Sequence, residues 1–195
     1  MGNAKRVALV TGSASGIGSA VAVRLANEGF DTIVNYSRSA DSASNTAERC
    51  NAAGSDTLLV QCDVSNEAGV VSMLDDIEKK YGRLDVVVNN AGTSISTLAK
   101  DFDKVSEEEF DRVLAVNVKG MFLVAKHSKA LLSEGIDPCI INTASIVGFR
   151  PGPQPLPYSA SKAAVISMTQ SLSFALGPKV RVNAVAPGWM EGEWM

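Results

Sequence analysis

Six short runs of apolar, mostly β-branched residues recur along the chain, at 7–11, 31–36, 57–62, 84–90, 139–145 and 180–186. They lack the strict alternation of a half-exposed strand, so each reads as a strand buried on both faces, as in a parallel sheet covered by helices. The intervening segments carry helical periodicity. Val70, Leu74, Ile77 and Tyr81, at offsets of 4, 7 and 11, share one stripe, and a second pattern spans 110–124. Parallel neighbours need crossover connections, so this succession predicts right-handed βαβ units and an α/β, doubly wound sheet. No repeat, low-complexity tract or linker interrupts it, and 195 residues suit one domain, 1–195.

Composition narrows the partners. With 46% hydrophobic and 20% charged residues the chain has enough apolar surface to fold. A net charge of -3 and the lack of any long basic tract give no attraction to nucleic acid or anionic lipid, leaving small molecules as expected ligands. Cys50, Cys62 and Cys139 are odd in number and form no CxxC, so reduced structural thiols are expected, with no metal site. The first apolar run is too short for a signal peptide or a membrane span, and a cytoplasmic location is expected.

Directly after the first strand comes Thr11-Gly12-Ser13-Ala14-Ser15-Gly16-Ile17-Gly18, then a helix containing Ala20, Val21 and Leu25. Glycines let a backbone turn sharply and approach a pyrophosphate, whose charge the helix N-terminus stabilises. The spacing is GxxxGxG, and alone it is weak evidence, since a purely structural turn can carry the same glycines. At the end of the second strand, where an acidic residue would hold the 2′-hydroxyl of NAD, the chain reads Asn35-Tyr36-Ser37-Arg38. Arg38 can pair with a 2′-phosphate through its planar fork, so NADP(H) is favoured over NAD(H); the plainer reading is a solvated surface arginine.

Tyr158 and Lys162 lie four residues apart near the start of a helix, on one face. A phenol with a pKa of about 10 is a poor proton shuttle near neutrality, and an adjacent cation would lower it. Ser145 ends the fifth strand, where open α/β sheets bind ligands; it can polarise a carbonyl or merely cap a turn. Asn117 falls on the apolar stripe set by Phe110, Val113 and Leu114, so its amide needs partners, either local backbone or an ordered water. His127, the only histidine, has no ligand set around it and receives no role.

Together these residues resemble the short-chain dehydrogenase/reductase family. Thr11-Gly12-xxx-Gly16-Ile17-Gly18, Asp63-Val64, Asn89-Asn90-Ala91-Gly92, Asn117, Ser145, Tyr158-xxx-Lys162 and Pro187-Gly188 stand in family order over nearly the whole chain. The stretch 34–39 looks like the 3-oxoacyl-(acyl-carrier-protein) reductase branch. The resemblance implies a Rossmann-like strand order 3-2-1-4-5-6 and a hydride transfer between nicotinamide and a carbonyl or secondary alcohol. It makes Tyr158 the acid/base, Ser145 the holder of the substrate oxygen, and Lys162 the group that lowers the tyrosine pKa and binds the nicotinamide ribose. Asn117 would anchor a relay water. Gly12, Ser13, Ser15, Gly16, Ile17 and Gly18 would hold the phosphates, Asp63 and Val64 would contact the adenine, and Asn90, Ala91 and Gly92 would back the ribose. Pro187, Gly188 and Met190 would border the nicotinamide.

Family members continue beyond residue 195 with a substrate-covering loop, a helix and a seventh strand, so a fragment lacking its lid is expected. A homodimer or homotetramer through the helices around 106–132 and 155–177 is also implied. The competing expectation is a cofactor-binding regulatory or scaffold protein that keeps the fold without turnover.

Overall fold

The computed structural model describes residues 5–189. Six strands, β1 (Val7–Val10), β2 (Asp31–Tyr36), β3 (Leu58–Gln61), β4 (Val86–Asn89), β5 (Cys139–Thr143) and β6 (Arg181–Val185), form one sheet. Its order is β3-β2-β1-β4-β5-β6 and every pairing is parallel, with Val7 opposite Asp31 and Asn89 opposite Asn142. This is the doubly wound architecture expected, with each strand within two residues of its apolar run.

The helices are α1 (Gly16–Asn27), α2 (Ala40–Ala52), α3 (Glu67–Tyr81), α4 (Glu107–Leu114), α5 (Met121–Ser133) and α6 (Leu156–Leu176). Alternate residues of the strands feed two cores. Leu9, Ile33, Val87 and Ile140 pack with Met73, Leu74 and Ile77 of α3 and Leu123, Val124 and Leu132 of α5. Ala8, Val10, Val34, Val86 and Val88 meet the small Ala22, Ala26, Ala43 and Ala47 of α1 and α2. Small side chains there let both helices lie close to the sheet, and burial of β-branched residues on both faces supplies the main driving force, about 25 cal/mol per Å² of apolar surface.

The periodic segment 110–124 is not one uniform helix. Between α4 and α5, Ala115–Gly120 forms a π turn, which shifts the stripe by one residue and carries Asn117. Ser106 starts α4 with a capping box, accepting from Glu109 N at 3.1 Å while the Glu109 carboxylate accepts from Ser106 N at 3.1 Å.

Because all strands run the same way, the candidate residues that follow them converge on one edge: Gly12 after β1, Arg38 after β2, Asp63 after β3, Asn90 after β4, Ser145 after β5 and Pro187 after β6. The opposite edge is built differently. Asp85, just before β4, is fully buried and accepts from Val7 N at 2.6 Å, Ile136 N at 2.5 Å, Arg83 Nε at 3.1 Å and Arg83 Nη2 at 2.6 Å.

Candidate active site

Gly12 turns out of β1 with φ +61°, and a Cβ there would stand 2.7 Å from Ala91 Cα, so the two loops touch through backbone. Thr11 Oγ1 accepts from Asn90 N and Ala91 N, both at 3.0 Å, and the Asn90 amide donates to the carbonyls of Thr11 and Gly12 at 3.1 and 3.0 Å. Asn90 and Ala91 are thus stitched to the glycine loop, and Gly18 sits buried in the first turn of α1 beneath Asn90.

Gly16 has φ +55° and nothing within 4 Å of the Cβ it lacks, while Ser15 at the α1 N-cap makes no side-chain cap bond. The start of α1 thus carries no side-chain cap, and a cleft of about 590 Å³ lies beside it, lined by Ser15, Gly16, Ser19, Asp41, Asn45 and Arg49. A helix start left unfilled beside a cleft fits a dinucleotide phosphate. Of the expected phosphate residues, Ser13 faces inward: its hydroxyl is buried, donating to Val10 O at 2.8 Å and accepting from Asn35 N at 3.0 Å. Its hydroxyl braces β1 against β2, and Gly12 N in turn donates to Asn35 Oδ1 at 3.1 Å. Ile17 follows in the first turn of α1. Arg38 is exposed just beyond β2.

Asp63 is half-exposed after β3, with Val64 buried beside it. Burial opposes ionisation of Asp63, but hydrogen bonds from Ser65 and the Arg112 guanidinium outweigh it and hold the carboxyl below its ordinary range.

The second cluster lies at the ends of β4 and β5. Lys162, 4% exposed, donates to Thr143 O at 2.7 Å and stands 5.6 Å from the centroid of the Tyr158 ring. A Cβ on Gly92 would lie 3.4 Å from Asn117 Oδ1 and 3.7 Å from Lys162 Nζ, so Gly92, Asn117 and Lys162 meet around one point. Asn117 is buried with both amide donors engaged: Oδ1 accepts from Thr93 N at 2.7 Å, and Nδ2 donates to Thr93 O and Ser161 Oγ, both at 2.9 Å. These bonds tie the loop after β4 to α6 and leave one lone pair of Oδ1 as an acceptor. Ser145 caps the short turn Ile146–Gly148, and its hydroxyl donates to Pro187 O at 3.4 Å. Gly188 packs against Ile146, whereas Met190 lies outside the described residues.

The electrostatics correct one expectation. The Tyr158 phenol is not depressed by Lys162: burial pushes it above its usual value, and the hydrogen bond with Ser145 opposes this. Burial acts on Lys162 itself, pulling its ammonium down to about 8. Both groups are desolvated and the lysine is directed at a carbonyl, so loss of water dominates each.

Sequence reasoning missed three features here. The Arg112 contact joins residues 49 apart and leaves no local pattern; the π turn is hidden within a continuous apolar stripe. The third is a chain of buried amides, Asn89 Nδ2 to Asn142 Oδ1 and Asn142 Nδ2 to Thr169 Oγ1, each 2.9 Å, which joins β4 and β5 to α6. Two asparagines at the ends of adjacent apolar runs were its only sequence signal.

Comparison with known proteins identifies the family. The family model for short chain dehydrogenase matches residues 6–195. Elsinochrome reductase 1 from Elsinoe fawcettii is 40% identical over 185 residues, covering 94% of this chain and 67% of that protein. The 3-oxoacyl-[acyl-carrier-protein] reductase of Staphylococcus aureus is 36% identical over 184 residues, covering 94% and 74%. The solved structure of NAD+-bound xylitol dehydrogenase superposes with a TM-score of 0.87 at 31% identity, over 96% of this chain and 71% of that one. A matched family model over nearly the full length, on a site built at the strand ends, places this chain in the short-chain dehydrogenase/reductase family, oxidoreductases that act on carbonyl or CH–OH groups with a nicotinamide dinucleotide.

Proposed function

We propose that this protein reduces a carbonyl to a secondary alcohol with NADP(H), with Tyr158 as the proton donor. The observation that carries the reading is the convergence of Tyr158, Ser145 and Lys162 on one strand-end cluster, with an open helix N-terminus on the same sheet edge. The bound dinucleotide supplies the hydride.

Tyr158, raised by burial, stays protonated at neutral pH, which is the state that reduction requires. Its proton passes to the substrate oxygen as the carbonyl becomes an alkoxide. Ser145 shares a hydrogen bond with the phenol, and its hydroxyl orients that oxygen. Lys162, charged below about pH 8, stabilises the phenolate left behind. Asn117 holds the loop after β4 against α6, and the lone pair left on its Oδ1 is the acceptor for a relay water. Gly12, Ser15, Gly16, Ile17 and Gly18 hold the phosphates, Ser13 supports that loop from beneath, and Asp63 and Val64 receive the adenine. Asn90 to Gly92 back the ribose, and Pro187 and Gly188 border the nicotinamide. Ile146 and Phe149, both exposed next to Ser145, favour an apolar substituent on the carbonyl. The helices α4–α5 and α6 are the proposed homo-oligomer contact.

Arg38 and the lack of an acidic residue after β2 support NADP(H). The experiment follows NADPH and NADH oxidation with 3-oxoacyl thioesters and aryl ketones. Turnover with NADPH preferred, and a preference shifted toward NADH by Arg38→Asp, is the expected outcome. Cofactor binding without turnover across the panel would instead indicate a binding module and overturn the reading.

A further inference from the structure

Asp63 sits in a small closed network. Its Oδ1 accepts from Ser65 N at 3.0 Å and from Ser65 Oγ at 2.7 Å, while Oδ2 pairs with Arg112 Nη1 at 3.0 Å. The same Arg112 nitrogen donates to Ser65 Oγ at 3.1 Å, so each of the three side chains touches the other two. Asp63 belongs to the loop after β3, whereas Arg112 belongs to α4, the helix that runs into the π turn. The Asp63 and Arg112 side chains are 39% and 38% exposed, so the carboxylate keeps a face open to a ligand. A carboxylate oxygen offers two lone pairs, and Arg112 uses one of those on Oδ2.

We propose that Arg112 is a positioning residue for cofactor recognition: with Ser65 it fixes the plane of the Asp63 carboxylate so that the remaining acceptor on Oδ2 receives the exocyclic amino group of adenine. This rests on the assignment of Asp63 to the adenine. An unclamped carboxylate would rotate and be solvated, and would discriminate weakly between a purine that donates at this position and one that accepts there. The ionised carboxylate only accepts hydrogen bonds, so it suits an amino donor and not a carbonyl at this position.

The test compares binding of NADPH with binding of its hypoxanthine analogue, in which a carbonyl oxygen replaces the amino group, by quenching of protein fluorescence. A hydrogen bond to a charged acceptor predicts about tenfold tighter binding of the adenine form by the unaltered protein. Arg112→Ala should bring the ratio within about threefold by weakening the adenine form alone, and Ser65→Ala should shift it the same way. Arg112→Lys, which keeps one charged donor nitrogen, should retain most of the discrimination. Thermal melts establish that each variant is folded. If Arg112 merely staples α4 to the loop, Arg112→Ala will weaken both dinucleotides equally or neither, and an unchanged ratio overturns the proposal. An unaltered protein that shows no preference overturns the assignment of Asp63 itself, a failure distinct from that of Arg112.

Discussion

The sheet buries a charge at each end, and the two are treated in opposite ways. At the N-terminal edge, Asp85 is fully buried and receives two backbone N–H groups and a forked guanidinium. At the C-terminal edge, Lys162 is almost as deeply buried, yet it donates to one carbonyl, and among the described residues no carboxylate pairs with it. A charge that is fully met by donors holds a fold together. One left undercompensated stays responsive to what binds beside it, and burial then shows as a displaced pKa. The same parallel sheet thus anchors at one edge and reacts at the other, as expected where ligands sit beyond the carboxyl ends of the strands.

The largest expected effect comes from breaking the anchored end. Asp85→Asn leaves Arg83 without its charge partner and weakens the acceptors for Val7 N and Ile136 N. We expect a loss of about 3 kcal/mol or more in urea unfolding, with turnover per folded molecule unchanged. A loss below about 1 kcal/mol would show that the clamp is dispensable.

Changing the reactive end should do the reverse. Lys162→Met removes an undercompensated buried charge and should gain about 1–3 kcal/mol at pH 7 while losing activity. The sign with pH follows from linkage. Lys162 titrates near 8 in the folded chain, below the value of about 10.4 for an unfolded lysine. Between these values the unfolded state binds more protons, so the stability of the unaltered protein rises with pH. The advantage of Lys162→Met should therefore be full below pH 8 and shrink as pH rises toward 10; unfolding curves at stepped pH check this.

The two ends also differed in how much of them the sequence disclosed. Continuous apolar runs and glycine turns specify six buried strands and a phosphate loop because those features depend on local chemistry: backbone freedom at Gly12 and Gly16, and β-branching in Val7–Val10. Tyr158, Lys162 and Ser145 were legible because they sit at fixed positions on a helix start and a strand end. Asp85 was not, since its role depends on Val7 and Ile136, at separations of 78 and 51 residues. The Asp63–Arg112 pair and the amide chain through Asn89, Asn142 and Thr169 were hidden for the same reason. The raised Tyr158 pKa also lay beyond sequence reading, because proximity to Lys162 predicts the sign of one influence while burial, known only from the fold, dominates.

Tyr158→Phe removes the proton through which the reactive end works and leaves the ring in place. The measurement pairs NADPH oxidation with a reducible ketone and NADPH binding on the same preparation. Turnover should fall by at least about a thousandfold with the dissociation constant unchanged within about threefold. Turnover retained within about tenfold, with binding intact, would contradict it.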